Sequence, residues 1–371
     1  MSQPRRIVLS EANDVADLLI SVFEFDKLYT RARLVAGLRN PAAVREALVI
    51  AEDGKPVSHI RVVYARVSVC GREFKVASIG GVSTHPGYRG RGHASRILGS
   101  ALREMYERGA KVLIVSGDRG LYRRAHCVGA GRIYQTAVRP GFGSPVRGLS
   151  LRRVTVDDWC LLAPLHQTEG VRFVRPTGFA SHLPFWCDLN HPETWLIESG
   201  NQPVAYAMLS LGWPRDGTRH VRILDEYAGS RVALVDALPA LVAAGGIDEI
   251  TIQAMGHDTE LVYLLRQRGL SLHEHTLAGT HRIIDLPGLM KAVRPYLAER
   301  LPAKELRQLS FEQMGERCII RFGDETLERT LSQAAPLVLG GPDAPPVAGD
   351  LGRALSTIFP IPFPMPGFNF L

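Results

Sequence analysis

The chain contains 371 residues, of which 46% are hydrophobic and 22% are charged, and its formal net charge is +7. This length is sufficient for two or three domains with separate hydrophobic cores. A membrane-spanning helix requires roughly 18 apolar residues in succession, and the best candidate, Ala233 to Ile247, is interrupted by Asp236 and Pro239. The first residues are polar and lead into an acidic stretch, which is not typical of a signal peptide. We therefore expect a cytoplasmic protein with no membrane partner.

The distribution of the basic residues and the spacing of the cysteines argue against a nucleic-acid-binding protein and against a protein held by disulfides or zinc. Six of the 44 basic residues are lysines and 38 are arginines, spread along the chain without a basic block or interleaved aromatic residues. This distribution argues against a nucleic-acid partner. The five cysteines are far apart and include no Cys-x-x-Cys pair, which argues against a disulfide framework and a zinc site. We therefore expect reduced thiols and no bound metal.

Helical and strand patterns alternate over the first 140 residues. The apolar spacing predicts a helix, two hairpins with glycine-containing turns, a second helix that ends at a glycine, and a short buried strand. In chain order these elements span Glu11 to Phe23, Ala47 to Ala51, Val57 to Val69, Phe74 to Ser83, Gly92 to Arg108, and Lys111 to Ser116. This order indicates a mixed sheet with one strand–loop–helix–strand crossover.

The stretch from about residue 150 to residue 287 repeats this order after a linker rich in glycine and proline, Pro140 to Gly148. Its predicted strand, helix and strand span Arg222 to Tyr227, Arg231 to Ala244 and Glu249 to Ala254, and a short helix ends at Gly269. In this second copy Ala228-Gly229-Ser230 replaces the longer loop that is rich in glycine and arginine. The pattern predicts a structural duplicate without a phosphate-binding loop.

The remaining residues predict a third and smaller unit. A helix over Gly288 to Arg300, short strands around Phe311 to Phe322 and a helix near Leu327 to Leu339 precede a proline-rich tail, Phe359 to Leu371. Alternating prolines favour a stiff, extended tail. We therefore predict an α/β (α+β) fold with three domains, at residues 1–148, 149–287 and 288–371.

A loop that joins a predicted strand to a predicted helix carries the chemistry. It consists of Arg89, Gly90, Arg91, Gly92, His93, Ala94 and Ser95. At a helix N-terminus the backbone N–H groups lack partners and the helix dipole is positive, so an anion is favoured there. Gly90 and Gly92 allow a pyrophosphate to approach the backbone, and Arg96 adds charge to that of the loop arginines. A tight turn with solvated arginines is the alternative. The strand before and the helix after favour a pyrophosphate site for an acyl-coenzyme A.

These motifs resemble the GNAT superfamily of N-acetyltransferases over residues 1–140, with a second landmark in Leu121 to Arg124. The full length, the second copy without a cofactor motif and the terminal tail resemble acetyltransferases of the enhanced intracellular survival (Eis) type. The resemblance implies two GNAT-type mixed sheets in tandem, followed by a C-terminal domain similar to sterol carrier proteins. It also implies a homo-oligomer, either a trimer or a hexamer.

The resemblance implies roles for individual residues. It assigns contacts with the pantetheine arm to Val82, Ser83 and Thr84, pyrophosphate contacts to Arg89 through Ser95, and a further contact to Ser116. Tyr122 would protonate the departing thiolate, although a half-buried core tyrosine is the alternative. The carboxylate of Leu371 would act as general base, although an apolar tail packed on a neighbouring domain is the alternative. Related sequences have Gly-Phe where this chain has His126-Cys127, which makes His126 a further candidate acid or base.

The expected reaction is the transfer of an acetyl group from acetyl-CoA to a primary amine, on a small molecule or on an exposed lysine. Gly80-Gly81 suggests a β-bulge that frees a backbone N–H group to stabilise the oxyanion. A non-catalytic acyl-CoA sensor or a lipid-binding scaffold is the alternative from a different class of protein. His273 and His275 lie on one strand face without a third ligand, so we expect a solvated pair and not a metal site.

Overall fold

The computed structural model describes residues 3–23, 27–176, 178–179, 193–212, 220–244 and 246–369. In chain order the strands are β1 (Arg5–Arg6), β2 (Ala47–Glu52), β3 (Lys55–Val69), β4 (Arg72–Thr84), β5 (Val112–Val115), β6 (Ile133–Val138), β7 (Leu149–Arg153), β8 (Val171–Val174), β9 (Glu193–Ser199), β10 (Gln202–Leu211), β11 (Val221–Gly229), β12 (Glu249–Met255), β13 (His273–His275), β14 (Thr280–Ile283), β15 (Leu309–Met314), β16 (Arg317–Phe322) and β17 (Glu325–Thr330). Within the described ranges these strands form two seven-stranded sheets and one three-stranded sheet.

The helices lie between these strands and after them. In chain order they are α1 (Ala12–Phe23), α2 (Lys27–Leu38), α3 (Pro41–Glu46), α4 (His93–Glu107), α5 (Gly120–Arg124), α6 (Trp159–Gln167), α7 (Arg231–Ala244), α8 (Thr259–Gln267), α9 (Leu286–Ala292), α10 (Arg294–Ala298), α11 (Ala303–Gln308), α12 (Leu331–Leu339) and α13 (Gly349–Ile358). None of the helices in the described ranges is long and apolar enough to cross a membrane. The mixed arrangement of helices and sheets confirms the predicted α/β (α+β) class.

The first sheet has the order β1-β2-β3-β4-β5-β14, and β8 also pairs with β3. β4 and β5 are parallel and are joined by α4, as the sequence pattern predicts. The apolar residues of α4 recur at helical spacing and are buried against this sheet. α4 begins one residue later than predicted, because Gly92 adopts a left-handed conformation and forms the N-cap.

The second sheet has the order β13-β6-β12-β11-β10-β9-β7. β11 and β12 are parallel and are joined by α7, which confirms the repeated strand–helix–strand order. The sheets exchange strands: β6 precedes the linker but pairs with β12, whereas β14 follows β12 in the chain but pairs with β5. Each sheet therefore takes strands from both sides of residue 148. The domain boundaries at residues 148 and 287 stay a prediction.

The third unit packs against the first sheet. Its strands β15, β16 and β17 form an antiparallel sheet, and one buried cluster continues from this unit into β3, β4 and β5. The predicted helix near Leu327 is wrong in its first turn, since residues up to Thr330 belong to β17. Thr330 and Gln333 form a capping box, and this local pairing starts α12 at Leu331.

Candidate functional site

A gap opens in the first sheet where β4 separates from β5. The two strands pair from Val76 and Val112 to Ile79 and Val115, and β4 then continues to Thr84 with β3 as its only partner among the described strands. The predicted contact residues Val82, Ser83 and Thr84 therefore lie on one side of this gap, and Ser116 follows the end of β5 on the other side. Parallel strands that separate in this way offer a ligand an unpaired strand edge to bind.

A β-bulge lies on β4 at the start of the gap. The pairing register with β3 shifts between His59 and Arg61, so that Gly81 and Val82 together face Ile60. Gly81 has φ +57°, a left-handed conformation that suits glycine. The bulge that the sequence predicts at Gly80-Gly81 is therefore confirmed.

The imidazole of His59 supports the bulge from β3. Its Nδ1 atom lies 2.7 Å from the carbonyl oxygen of Gly81, and the side chain is fully buried. Burial lowers the pKa of His59 to about 4, so the ring is neutral at pH 7. Because the carbonyl oxygen of Gly81 accepts, Nδ1 carries the proton of this neutral ring. His59 has no motif around it, and sequence reasoning missed it.

The predicted phosphate loop leaves its backbone N–H groups for a ligand. Gly90 and Gly92 have φ +79° and +77°, and open space surrounds the position that a Cβ atom would take at each. No side chain of the described residues caps the first turn of α4, and the first helical hydrogen bond runs from the N–H of Arg96 to the oxygen of Gly92. The N–H groups from Gly90 to Ser95 have no acceptor among the described residues. A pyrophosphate fits these donors.

The side chains around the loop separate into exposed and buried ones. Arg89 and Arg91 are exposed, and the Arg91 guanidinium lies 4.8 Å from the ring centroid of Tyr88. His93 is buried, with Nε2 3.1 Å from Oε1 of Glu52 and Nδ1 2.6 Å from Nη2 of Arg96. The imidazole of His93 therefore contacts the protein, and its backbone N–H remains part of the loop.

Tyr122 lies on α5, close to the end of β5. Its ring belongs to the buried cluster that contains Ile79 and Val115, and it packs closely against Gly117. A Cβ atom on Gly117 would lie 3.2 Å from Cε2 of the ring. Burial raises the pKa of Tyr122 above its usual value of about 10, against the opposing effect of Arg119. The phenol is therefore a protonated acid at neutral pH.

His126 takes the left-handed position of the turn that ends α5. It has φ +57°, and the turn after α5 is a Schellman motif in which Cys127 N–H donates to the oxygen of Tyr122. The imidazole Nδ1 atom lies 2.9 Å from Oγ of Ser332, and Nε2 lies 3.0 Å from Oε2 of Glu316. Both ring nitrogens therefore contact the C-terminal unit.

The second sheet contains a corresponding separation of two parallel strands, and here a side chain of the protein binds a backbone donor beside it. β11 pairs with β12 only as far as Leu224 and Ile252, so these strands also separate. The Glu169 carboxylate accepts the N–H of Gly229 at 3.0 Å and binds the Arg231 guanidinium through two hydrogen bonds of 2.8 and 2.5 Å. An internal carboxylate thus binds the backbone N–H of Gly229 and the side chain of Arg231, next to the start of α7.

The C-terminal tail reaches the second sheet. The described tail ends at Asn369, and Leu371, the predicted general base, lies outside the described residues. Glu226 and Arg175 contact the tail at Phe368 and Asn369. Sequence reasoning missed this pair, because 51 residues separate its members and neither belongs to a motif. In the part of the chain that the structure describes, no group of three His, Cys, Asp or Glu side chains is arranged to hold a metal ion.

Comparison with known protein families identifies the first part of the chain. Residues 3–127 match the sequence model of a family described as acetyltransferase (GNAT) domain. The matched range contains the gap, the phosphate loop and Tyr122, and it ends before the second sheet begins. A comparison with curated proteins finds no match.

Solved structures resemble the chain over almost its whole length. A GCN5-related N-acetyltransferase from Anabaena variabilis aligns with a TM-score of 0.67 and 15% identity over 97% of both chains. A conserved protein of unknown function from Enterococcus faecalis, a probable N-acyltransferase, aligns with a TM-score of 0.68 and 13% identity over 98% of both chains. Eis1 from Mycobacterium abscessus aligns with a TM-score of 0.57 and 12% identity, over 96% of this chain and 89% of that one. At such identities the similarity establishes the fold alone.

Proposed function

Since residues 3–127 form a GNAT acetyltransferase domain and the chain is an acetyltransferase, we propose that it transfers the acetyl group of acetyl-CoA to a primary amine. The amine belongs to a small molecule or to an exposed lysine. The observation that carries the proposal is the combination of two features on one sheet. Uncapped N–H groups lie at the start of α4, and the protonated Tyr122 lies near the end of β5.

In the proposed reaction the neutral amine attacks the carbonyl carbon of the thioester directly. An alkylamine has a reference pKa of about 10.4, so a base must take its proton near neutral pH. The tetrahedral intermediate carries an oxyanion. We propose that a backbone N–H at the Gly81–Val82 bulge stabilises this oxyanion. The carbon–sulfur bond then breaks, and Tyr122 gives its proton to the leaving thiolate.

We propose that the C-terminal carboxylate, on Leu371, is the base. Two observations support this assignment. The described tail ends only two residues earlier, at Asn369, which accepts a hydrogen bond from Arg175. Arg175 directly follows β8, and β8 pairs with β3 of the sheet that contains the gap. We further propose that Val82, Ser83, Thr84 and Ser116 bind the pantetheine arm, and that the loop from Arg89 to Ser95 binds the pyrophosphate.

The proposal extends to the rest of the chain. We propose that the second sheet belongs to a GNAT-like domain that binds no cofactor, and that the third unit resembles sterol carrier proteins. We also propose a homo-oligomer, a trimer or a hexamer, whose mass light scattering would measure. None of these three proposals affects the assignment of the acetyl-transfer site.

A thiol-release assay tests the reaction. Purified protein is mixed with acetyl-CoA and a panel of primary amines, and free coenzyme A is measured with a thiol reagent. We expect thiol release that requires both an amine and acetyl-CoA, together with an acetylated amine detected by mass spectrometry. A protein that binds acetyl-CoA in calorimetry but consumes none with any amine would be a sensor or a scaffold, and the proposed function would be wrong.

A further inference from the structure

A buried ion pair joins the two seven-stranded sheets. Arg175 Nη1 donates to Glu226 Oε1 at 2.8 Å and Nη2 donates to Oε2 at 2.5 Å, and only 4% and 8% of these side chains are exposed. Arg175 follows β8, which belongs to the first sheet, whereas Glu226 lies on the separated part of β11 in the second sheet. Burial alone would raise the pKa of the Glu226 carboxyl, yet the neighbouring guanidinium outweighs it and holds that pKa below its usual value.

The tail of the chain completes the hydrogen bonding of this pair. The N–H of Phe368 donates to Glu226 Oε2 at 2.9 Å, and the Oδ1 atom of Asn369 accepts from Arg175 Nε at 2.9 Å. The Arg175 guanidinium also lies 5.5 Å from the ring centroid of Phe368. Tyr206 donates to the other carboxylate oxygen, Oε1, at 2.6 Å.

A buried ion pair contributes little net stability unless its remaining donors and acceptors are satisfied. Here two of those remaining partners, a backbone N–H and a side-chain amide oxygen, come from the last residues of the chain. Gly367 fits against the same carboxylate, since a Cβ atom there would lie 1.9 Å from Glu226 Oε2. The pair and the tail therefore match each other closely in charge and in shape.

We propose that Arg175 and Glu226 form a latch that positions the C-terminal tail relative to the acetyl-transfer gap. The latch connects three parts of the chain: the first sheet through β8, the second sheet through β11, and the tail of the third unit. Arg175 and Glu226 are positioning residues, since they act through the tail. Their effect on catalysis rests on the proposed role of the Leu371 carboxylate.

The short distance between the latch and the chain terminus links the position of the latch to the position of a terminal base. An extended residue spans at most about 3.6 Å, so the two residues that follow Asn369 can reach no more than about 7 Å from Asn369. A shift of the latch therefore also moves the terminal carboxylate. A base that is misplaced by about 1 Å costs on the order of 100-fold in rate.

Gly367→Ala tests the latch, with Gly315→Ala as its matched control. Both glycines have positive φ, +49° and +61°, but a Cβ atom on Gly315 meets open space whereas one on Gly367 meets Glu226. Both lie in the C-terminal unit. The first readout is the rate at which a carboxypeptidase releases Leu371 from the native full-length protein, and the second is the pair of constants kcat and KM for acetyl-CoA.

We expect Gly367→Ala to raise the release rate about tenfold or more and to lower kcat roughly 10- to 100-fold, with the KM for acetyl-CoA changed less than about twofold. Gly315→Ala should match the parent protein in both readouts. Asn369→Ala is a milder second variant that removes one hydrogen bond from a half-buried side chain, and it should raise the release rate by a smaller factor.

The two readouts separate the latch from the proposed function. Faster release with unchanged kcat would confirm the latch and show that the terminal carboxylate is not the base. Unchanged release in both Gly367→Ala and Asn369→Ala would overturn the latch, whatever the activity of these variants. Circular dichroism and thermal unfolding of each variant identify any general loss of folding.

Discussion

The two parallel crossovers of this chain, β4–α4–β5 and β11–α7–β12, share a geometry and differ in their chemistry. In each, the parallel strands pair over four residues and then separate. In each, the first strand of the crossover also has a register shift in its pairing with an antiparallel neighbour: β4 with β3, and β11 with β10. The N–H groups at the start of α4 are left for a ligand, whereas at the start of α7 the protein supplies its own acceptors. We infer that backbone geometry alone does not make a cofactor site.

At the second crossover, side chains of the protein accept two backbone N–H groups. Glu169 accepts the N–H of Gly229, and Ser230 Oγ accepts the N–H of Ala233 at 3.2 Å. A hydrogen bond to a charged group contributes about 1.5–3 kcal/mol, so a phosphate would have to displace interactions of similar strength. We therefore expect one molecule of coenzyme A per chain, bound in the first sheet.

Removal of a tyrosine hydroxyl should lower kcat strongly near the first crossover and not near the second, and this is the largest effect that we expect. Tyr122 is buried beside the gap, and Tyr263, on the short helix α8 that follows the second crossover, is 61% exposed. General acid catalysis contributes about 10²- to 10⁴-fold, so we expect Tyr122→Phe to lower kcat at least about 100-fold. Its affinity for acetyl-CoA in calorimetry should stay within about twofold of the parent value. Tyr263→Phe should retain full activity, and unchanged turnover in Tyr122→Phe would contradict the assignment.

The strands β14 and β13, which lie in different sheets, each carry a histidine, and the two histidines differ in burial. His281 on β14 is fully buried, neither ring nitrogen has a partner among the described residues, and burial lowers its pKa to about 4. Below pH 6.5 the imidazole of His281 binds a proton in the unfolded chain, whereas in the folded chain it binds one only near pH 4. The free energy of unfolding therefore falls as the pH falls through this range.

A lowered folded-state pKa of this size predicts a loss of about 2 kcal/mol between pH 7 and pH 5 from His281 alone. His281→Leu should remove that contribution, and urea unfolding at the two pH values measures it. The control is His273→Leu, since His273 lies on β13 and is exposed. An equal pH dependence for His281→Leu and the parent protein would show that His281 titrates normally.

A methyl group in the phosphate loop should weaken cofactor binding by a moderate factor. Gly92 has φ +77° at the N-cap of α4, and an L-residue in that conformation costs about 1–2 kcal/mol. We expect Gly92→Ala to raise the Kd for coenzyme A about tenfold in calorimetry. Gly269→Ala, with φ +78° and equally open surroundings in the second copy, bears the same strain and should leave the Kd unchanged. Equal affinities in both variants would argue against the loop as the binding site.

The parts of the site that depend on short-range sequence could be predicted, and those that depend on distant pairing could not. Gly80-Gly81 marks the bulge, and Gly90 and Gly92 mark the loop, because both require glycine in a left-handed conformation. The exchange of β6 and β14 has no such signal, since an apolar strand pattern fits either sheet. The pairing of Arg175 with Glu226 likewise follows from the packed sheets and not from any local pattern.

His126 should have the smallest effect on activity of the residues considered. Its left-handed conformation is one that glycine adopts without strain, and its ring nitrogens contact Ser332 and Glu316 in the C-terminal unit. His126→Gly relieves backbone strain and removes a partly exposed contact with Glu316, and such surface contacts are worth about 0–1 kcal/mol. We therefore expect kcat within about twofold of the parent value and a nearly unchanged Tm. A tenfold fall in kcat that disappears at high pH would instead assign an acid–base role to this imidazole.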